Sequence, residues 1–380
     1  QNKLFAMIQN FLKVAWRNLI KNRTFSIINI TGLAAGLACF ILIALYVIDE
    51  LSYDRFNEKA DRIFRINADI RFGGADLKLA TTSDPMGPTL KKDYPQVEEF
   101  VRFYTASGSK QVKKGDQYIV EADVMHADST LFNVFTLPAL HGDTRTALNE
   151  PNTVVITAST AKKYFATTDA VGKIIEADGT PYKVTAVIRD IPRNSHFKAD
   201  FIFSMDNVHY DWGSYLSHNL QTYLLLKPGT DWKEFQKNFR QFIDKYVVAQ
   251  ARQFMDISNL DEFERAGNKL EYSLMPLTDI HLHSDRLSEM GVNGNIQYVY
   301  VFSAVALIVL LIACVNFMNL STAQFTRRVK EASVRRILGQ GTAQLRTGFF
   351  AEALGFCVVA LLGALAITQW ILPAFNLVTG

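Results

Sequence analysis

The sequence predicts an α-helical membrane protein that carries a large extracytoplasmic α+β domain. Three observations predict it: three apolar runs of bilayer length, basic clusters confined to two segments beside them, and a mixed helix-and-strand pattern over residues 49–295. Phe25 to Ile48 is the first run, 24 residues without a charge. At 1.5 Å per residue it reaches about 36 Å, enough for a hydrocarbon core of about 30 Å. It is too long for the apolar region of a signal peptide, and the acidic DELSYD follows where small residues would mark cleavage. Residues 296–320 are likewise uncharged, and 348–372 are apolar apart from Glu352 and Gln369.

Charge orients the chain. Residues 1–24 hold Lys3, Lys13, Arg17, Lys21 and Arg23 with no acid, and the 321–347 loop holds Arg327, Arg328, Lys330, Arg335, Arg336 and Arg346 against Glu331 alone. Both segments are expected on the cytoplasmic side of a bacterial inner membrane, with 49–295 in the periplasm. That outer region has 29 basic and 35 acidic residues, a net −6 hidden behind the chain's overall +3. Such a surface cannot neutralise phosphates in bulk, which argues against nucleic acid as a partner. Cys39, Cys314 and Cys357 all fall in the apolar runs, so the outer domain must hold together by its core. With three spans, residues 373–380 emerge outside after an apolar run and Pro373. The complete reading frame is expected to continue into another span soon after 380.

Before the first span, Leu4, Ile8, Phe11, Ala15 and Leu19 recur at helical spacing opposite Lys13, Arg17 and Lys21. This predicts an amphipathic helix at the inner lipid surface, or an ordinary basic flank. Gly32 and Gly36 form a GxxxG that would let another helix approach. Asn316 and Asn319 are expected to bond a neighbouring helix.

In the outer domain, 61–72 alternates like a strand, and 85–94 and 97–104 read as helices. Residues 118–124, 153–156 and 182–188 are strand candidates, 159–165 a short helix, and Asp178-Gly179 a hairpin turn. Further on, 220–226, 232–249 and 269–276 give strand, helix, strand. Paired with the first group, they suggest one split βαβ domain with a β-rich insertion over about 114–214.

The sequence contains no GxxxxGK[ST], GxSxG, HExxH or CxxC, so enzymatic readings start behind and no cofactor is expected on this chain. His281 and His283, read as alternate strand residues, are the nearest thing to a metal pair; without a third ligand they read as surface residues, as does His196. A carboxyl within a span is costly unless it faces protein or water, which makes Glu352 a candidate intramembrane polar site. Snorkelling to the inner interface is the favoured alternative. In the 321–347 loop, Thr322 to Leu338 has helical spacing, Gly339 is placed to end the helix, and Val329, Val334, Ile337 and Leu338 could enter a groove ringed by arginines. A basic loop also serves orientation alone.

The segment RRVKEASVRRILG resembles the R-x-x-E-[IV]-[GA]-[IV]-R-x-x-[LV]-G signature of MacB/FtsX-type ABC transporter permeases, with Ala332-Ser333 where that family often has a hydrophobic residue and Gly. SYDRFNEKADRIFRI, ADSTLFNVFTLPALHGD, PNTVVITASTAKKYFATTDAVGKII and VTAVIRDIPRNSHFKADF are similar to the same family. The resemblance implies four spans and a periplasmic core divided into a Porter-like α/β part and an inserted β-rich part. It implies that 321–347 holds a coupling helix docking on a separate ABC ATPase, which would carry the ATP and Mg. Glu331, Arg335 and Arg336 would make that contact, with Leu338 and Gly339 shaping its end. It further implies a second permease copy, as a homodimer or a duplicated half, a periplasmic or outer-membrane partner, and motion passed outward by mechanotransmission. Three functions remain: an exporter permease for peptide, antibiotic or lipid-like cargo, an FtsX-like regulator of a cell-wall hydrolase or signalling partner, and a ligand-sensing receptor. The long outer domain favours the first.

Overall fold

The computed structural model describes residues 23–323, 329, 332–334, 336, 337, 339 and 341–379. The amphipathic helix expected before the first span therefore lies almost wholly outside the described residues. The chain divides into two compact units, 1–51 with 296–380 and 52–295.

In the first unit, Arg23–Leu51, Ile296–Ala323 and Thr342–Thr379 are helices long and apolar enough to cross a membrane. The last helix runs through Pro373. The Arg23–Leu51 helix packs on the other two through Leu33, Ala34, Ala313 and Ala360. A Cβ on Gly36 would lie 2.5 Å from the Ala313 Cβ, and one on Gly32 would lie 3.1 Å from the Asn316 side-chain nitrogen. The absence of side chains at these positions is thus what lets the two backbones approach. Deeper contact comes from Asn29, whose Nδ2 donates to Ser321 Oγ at 3.5 Å.

The second unit is built on one thirteen-stranded sheet. In chain order the strands are β1 (Ile63–Phe72), β2 (Ala75–Leu79), β3 (Val97–Tyr104), β4 (Lys110–Lys114), β5 (Gln117–Glu121), β6 (Val124–Ala127), β7 (Ala139–Gly142), β8 (Thr153–Thr157), β9 (Ile174–Ala177), β10 (Thr180–Ile188), β11 (Phe201–Ser204), β12 (Gln221–Leu226) and β13 (Lys269–Pro276). At one end the order is β13-β1-β12-β3, with every neighbour antiparallel. Hence β1 and β3 are parallel across β12, and β12 and β13 are parallel across β1. Each pair is joined by helix, Met86–Asp93 in the first case and the run 232–251 in the second. These are two interlaced split βαβ units, the ferredoxin-like arrangement.

One residue separates fold from expectation here. VEEFVRFY, read as a helix, is β3, because a register shift leaves Glu98 unpaired while Val97 faces Leu226 and Glu99 faces Leu225. The bulge resets the alternation, so Val97 and Phe100 join one core and Val101 and Phe103 the other, and the apolar positions 97, 100, 101 and 104 imitate a helix. The run 232–251 starts under an Asp231 cap that accepts from the amides of Lys233 and Glu234, and contains a π segment at Ile243–Val248. Its Phe235, Phe239 and Phe242 bury one face of the sheet with Phe64, Ile66 and Leu224.

The insertion leaves after Tyr104 and returns before Gln221, wider than the 114–214 read from sequence. It continues the same sheet through β6, paired with β3, then β11, β8, β10, β9, β4 and β5. Its segments 124–137 and 188–202 cover the second face of the core strands, where Phe103, Phe135, Phe197 and Tyr223 meet. Asp178 and Gly179, with φ of 49° and 75°, form the expected hairpin turn between β9 and β10. The strand expected over 118–124 is two, β5 and β6.

His126 on β6 is only 4% exposed, set against the Tyr104 and Phe203 rings. Burial, and then the charge of Lys110, push its imidazole down to about 4. An unfolded chain takes up that proton near pH 6.5, so stability should fall as pH drops from about 6.5 to about 4, by on the order of 2 kcal/mol. Chemical denaturation of the outer unit at stepped pH should show this acid limb flattened in His126→Phe; an unchanged limb would count against the assignment.

Candidate coupling site

The loop between the second and third long helices is helical at Val329, Ala332–Val334, Arg336 and Ile337. Ser333 Oγ donates to the Val329 carbonyl at 2.8 Å, and the Gly339 amide donates to the Arg336 carbonyl at 3.1 Å. Gly339 has φ +90°, a left-handed conformation that closes a helix at little cost only for glycine. Ile337 is 85% exposed and Val329 and Val334 are also exposed. Val334 and Ile337 thereby present an apolar surface outward. Val329 and Arg336 instead border a cavity of about 490 Å³ whose other walls include Ser321, Thr322, Leu345 and Phe349. Glu331, Arg335 and Leu338 lie outside the described residues. Chemically, a ridge of aliphatic residues edged by a guanidinium suits a partner groove with carboxylates at its rim.

Glu352 sits ten residues into the Thr342–Thr379 helix and is half-buried. The histidine pair is corrected. Ile280–His283 is a single helical turn, so His281 turns inward, 4% exposed and stacked on Tyr53 at 3.3 Å between centroids, while His283 is exposed. The two rings do not converge.

His196, read as a surface residue, is instead 4% exposed and central to a chain of bonds. Its Nδ1 lies 2.9 Å from the Asp54 carboxylate and its Nε2 2.7 Å from the Tyr223 hydroxyl on β12. The carboxylate accepts, so Nδ1 donates to Asp54, and Nε2 and the Tyr223 hydroxyl are hydrogen-bond partners. Asp54 also accepts from the His196 amide at 3.3 Å, donates its own amide to the Asn194 carbonyl at 2.8 Å, and holds φ +60°. Burial raises the Tyr223 phenol above its ordinary range. A second buried group lies beside it. Arg65 on β1, fully buried, donates from Nη2 to Glu289 Oε1 at 3.0 Å and to Ser284 Oγ at 2.6 Å. Ser284 in turn bonds Glu289. For Asp54, Arg65 and His196 the sequence signal is that SYDRFNEKADRIFRI and RDIPRNSHF belong to the segments that carry the resemblance; Tyr223, Ser284 and Glu289 fall outside those segments.

The fold and the loop define a class: a membrane-helical protein with a ferredoxin-like outer domain, interrupted by a long insertion, between its first two long helices. The profile of the MacB-like periplasmic core domain matches residues 26–242, and that of the FtsX-like permease C-terminal domain matches residues 303–380. The chain belongs to the MacB/FtsX-type ABC transporter permeases. YvrN of Bacillus subtilis strain 168, an uncharacterised ABC transporter permease, is 21% identical over 370 residues, covering 93% of this chain and 85% of that protein. Among solved structures, the periplasmic region of MacB from Actinobacillus actinomycetemcomitans is 14% identical with a TM-score of 0.40, over 58% of this chain and 91% of that one. The extracellular domain of YknZ, a noncanonic ABC-type transporter from Gram-positive bacteria, is 14% identical with a TM-score of 0.38, over 56% and 99%.

Proposed function

We propose that this chain is the membrane subunit of an exporter, driven by a separate ATPase that docks on the loop after the second span. The observation that carries the reading is the exposed apolar pair Val334 and Ile337 just before the helix end at Gly339, in a chain of ABC permease family. Glu331, Arg335 and Arg336 make the charged contact, and Leu338 and Gly339 shape its end. ATP and Mg act on the partner. The N-terminus and the loop face the cytoplasm, residues 52–295 face the periplasm, and two copies or a duplicated half complete the pore region. Closure of the ATPases moves the loops, and the motion passes outward to the periplasmic domain, favouring release of a peptide, antibiotic or lipid-like cargo.

Co-purification tests this. Full-length permease in mild detergent is expected to bring down an ABC ATPase, and an Arg335→Glu, Arg336→Glu double variant to lose it while keeping its elution volume and melting temperature. Reversing two cations against a carboxylate rim turns attraction into repulsion at both positions. Absence of any ATPase from both preparations would move the ligand-sensing reading to the front.

A further inference from the structure

Ser52 directly follows the Arg23–Leu51 helix, and Asn295 directly precedes the Ile296–Ala323 helix. The segments beginning and ending at these residues are both tied, inside the outer unit, to one place on the sheet. On the first side, Asn194 Nδ2 donates to the Ser52 carbonyl at 3.2 Å and to its hydroxyl at 3.0 Å, and Asp54 holds His196, which holds Tyr223. On the second side, Arg65 holds Ser284 and Glu289, Gln221 Nε2 donates to the Ser288 carbonyl at 3.1 Å, and Asn293 Nδ2 donates to the Ser284 carbonyl at 3.0 Å. The two sides meet. Arg65 and Tyr223 are direct cross-strand partners on β1 and β12, Met290 Sδ lies 3.5 Å from the Tyr223 hydroxyl, and a Cβ on Gly291 would come within 2.7 Å of the His196 carbonyl oxygen.

We infer that the Asp54–His196–Tyr223 chain, with Arg65 beside it, is a buried joint through which displacement of both membrane-adjacent segments is delivered to the centre of the ferredoxin-like sheet. The inference rests on the ATP-driven motion proposed above and names where that motion enters the outer domain. Asp54 and Tyr223 are fully buried and His196 nearly so, so no solvent can substitute for a broken link. Close-packed surroundings, Phe103, Phe135 and Phe197, leave the rings no space in which to absorb a shift. His196 belongs to the insertion and Tyr223 to the core strands. The joint therefore makes the insertion and the core move together when the segment after the first span moves. Asp54, His196 and Tyr223 are positioning residues, enclosed in the core of the outer unit.

The test is hydrogen–deuterium exchange on the full chain with its co-purified ATPase, with and without ATP in a hydrolysis-arrested state. Tyr223→Phe keeps the ring and removes only the hydroxyl. It is expected to retain the ATPase and the ATP response of peptides over 52–57, while the response over β1 and β12 falls on the order of fivefold or more. Tyr272→Phe is the comparator, since that tyrosine bonds His218 and lies outside the joint; it should keep the wild-type response. An undiminished response in Tyr223→Phe, or an equal loss in Tyr272→Phe, would overturn the joint while leaving the ATP-driven reading intact. A wild-type complex with no ATP response in any outer-unit peptide would remove the reading and the joint together. Should Tyr223→Phe not fold, Asp54→Asn asks the same question from the other end of the chain, with the same two outcomes.

Discussion

Glu289→Ala is expected to destabilise the outer unit by about 3–5 kcal/mol, as much as truncating a fully buried aromatic there. Arg65 has no solvent exposure at all and Glu289 keeps 13% of its side-chain surface. Removing the carboxylate strands a guanidinium in the core, where water cannot reach it, and also removes the acceptor that Ser284 uses. The cost is that of the orphaned charge, so deleting both charges should restore most of it. Arg65→Met with Glu289→Leu is expected near wild type, and a double-mutant cycle by denaturant unfolding would read the coupling directly. Asp143→Ala is the contrast. Its pair with Arg145 is on the surface, and no measurable change is expected. If Glu289→Ala proved as mild as Asp143→Ala, the buried pair would not be holding the segment before the second span.

Gly36→Leu should cost about 3 kcal/mol of the packing between the first two long helices. Lipid offers no hydrophobic drive to hold helices together, so their association depends on close van der Waals fit. At Gly36 even one added carbon meets Ala313 at 2.5 Å, and the neighbouring atoms are another helix's short side chain and backbone, neither of which can swing away. Gly363, by contrast, would place its Cβ 3.5 Å from Ala34, an ordinary contact. Gly363→Ala should therefore leave the melting temperature in detergent unchanged while Gly36→Ala lowers it. Ala313→Gly added to Gly36→Ala should recover the loss, because it clears the atom that was struck. Failure of that rescue would mean the glycine matters for some other reason than space.

The membrane helices are legible because an uncharged apolar run of bilayer length is rarely anything but a span, and residues 25–48, 296–320 and 348–372 each fall inside an observed helix. Several strands are legible for a local reason too. The alternation in TPYKVTAVI and the turn at Asp178-Gly179 are set by residues adjacent in sequence. What stays hidden depends on distant partners. β3 cannot be read correctly because the bulge at Glu98 exists only against β12, and without it Val97, Phe100, Val101 and Tyr104 repeat at helical spacing. His196 misleads for a similar reason. A histidine in a polar NSH turn looks solvated until Asp54 and Tyr223 arrive from positions before and after it to bury and saturate both ring nitrogens. In the loop after the second long helix, the helix end at Gly339 is legible from its residue type, while Glu331, Arg335 and Leu338 lie outside the described residues.

The central place of β1 has a consequence for biogenesis. It is the first strand to leave the translocation channel, yet it pairs Ile63 with Leu225 and Ile70 with Leu270, and apart from the short β2 hairpin it has no neighbour until β12 and β13 have followed. Pairings this remote in sequence form slowly, since the loop must close before any contact rewards it. The insertion, whose β8, β9, β10 and β11 are close together in the chain, can assemble first and wait. A half-apolar strand with an open edge thus waits for its partners for most of the domain's synthesis, a period in which chaperones have reason to hold it.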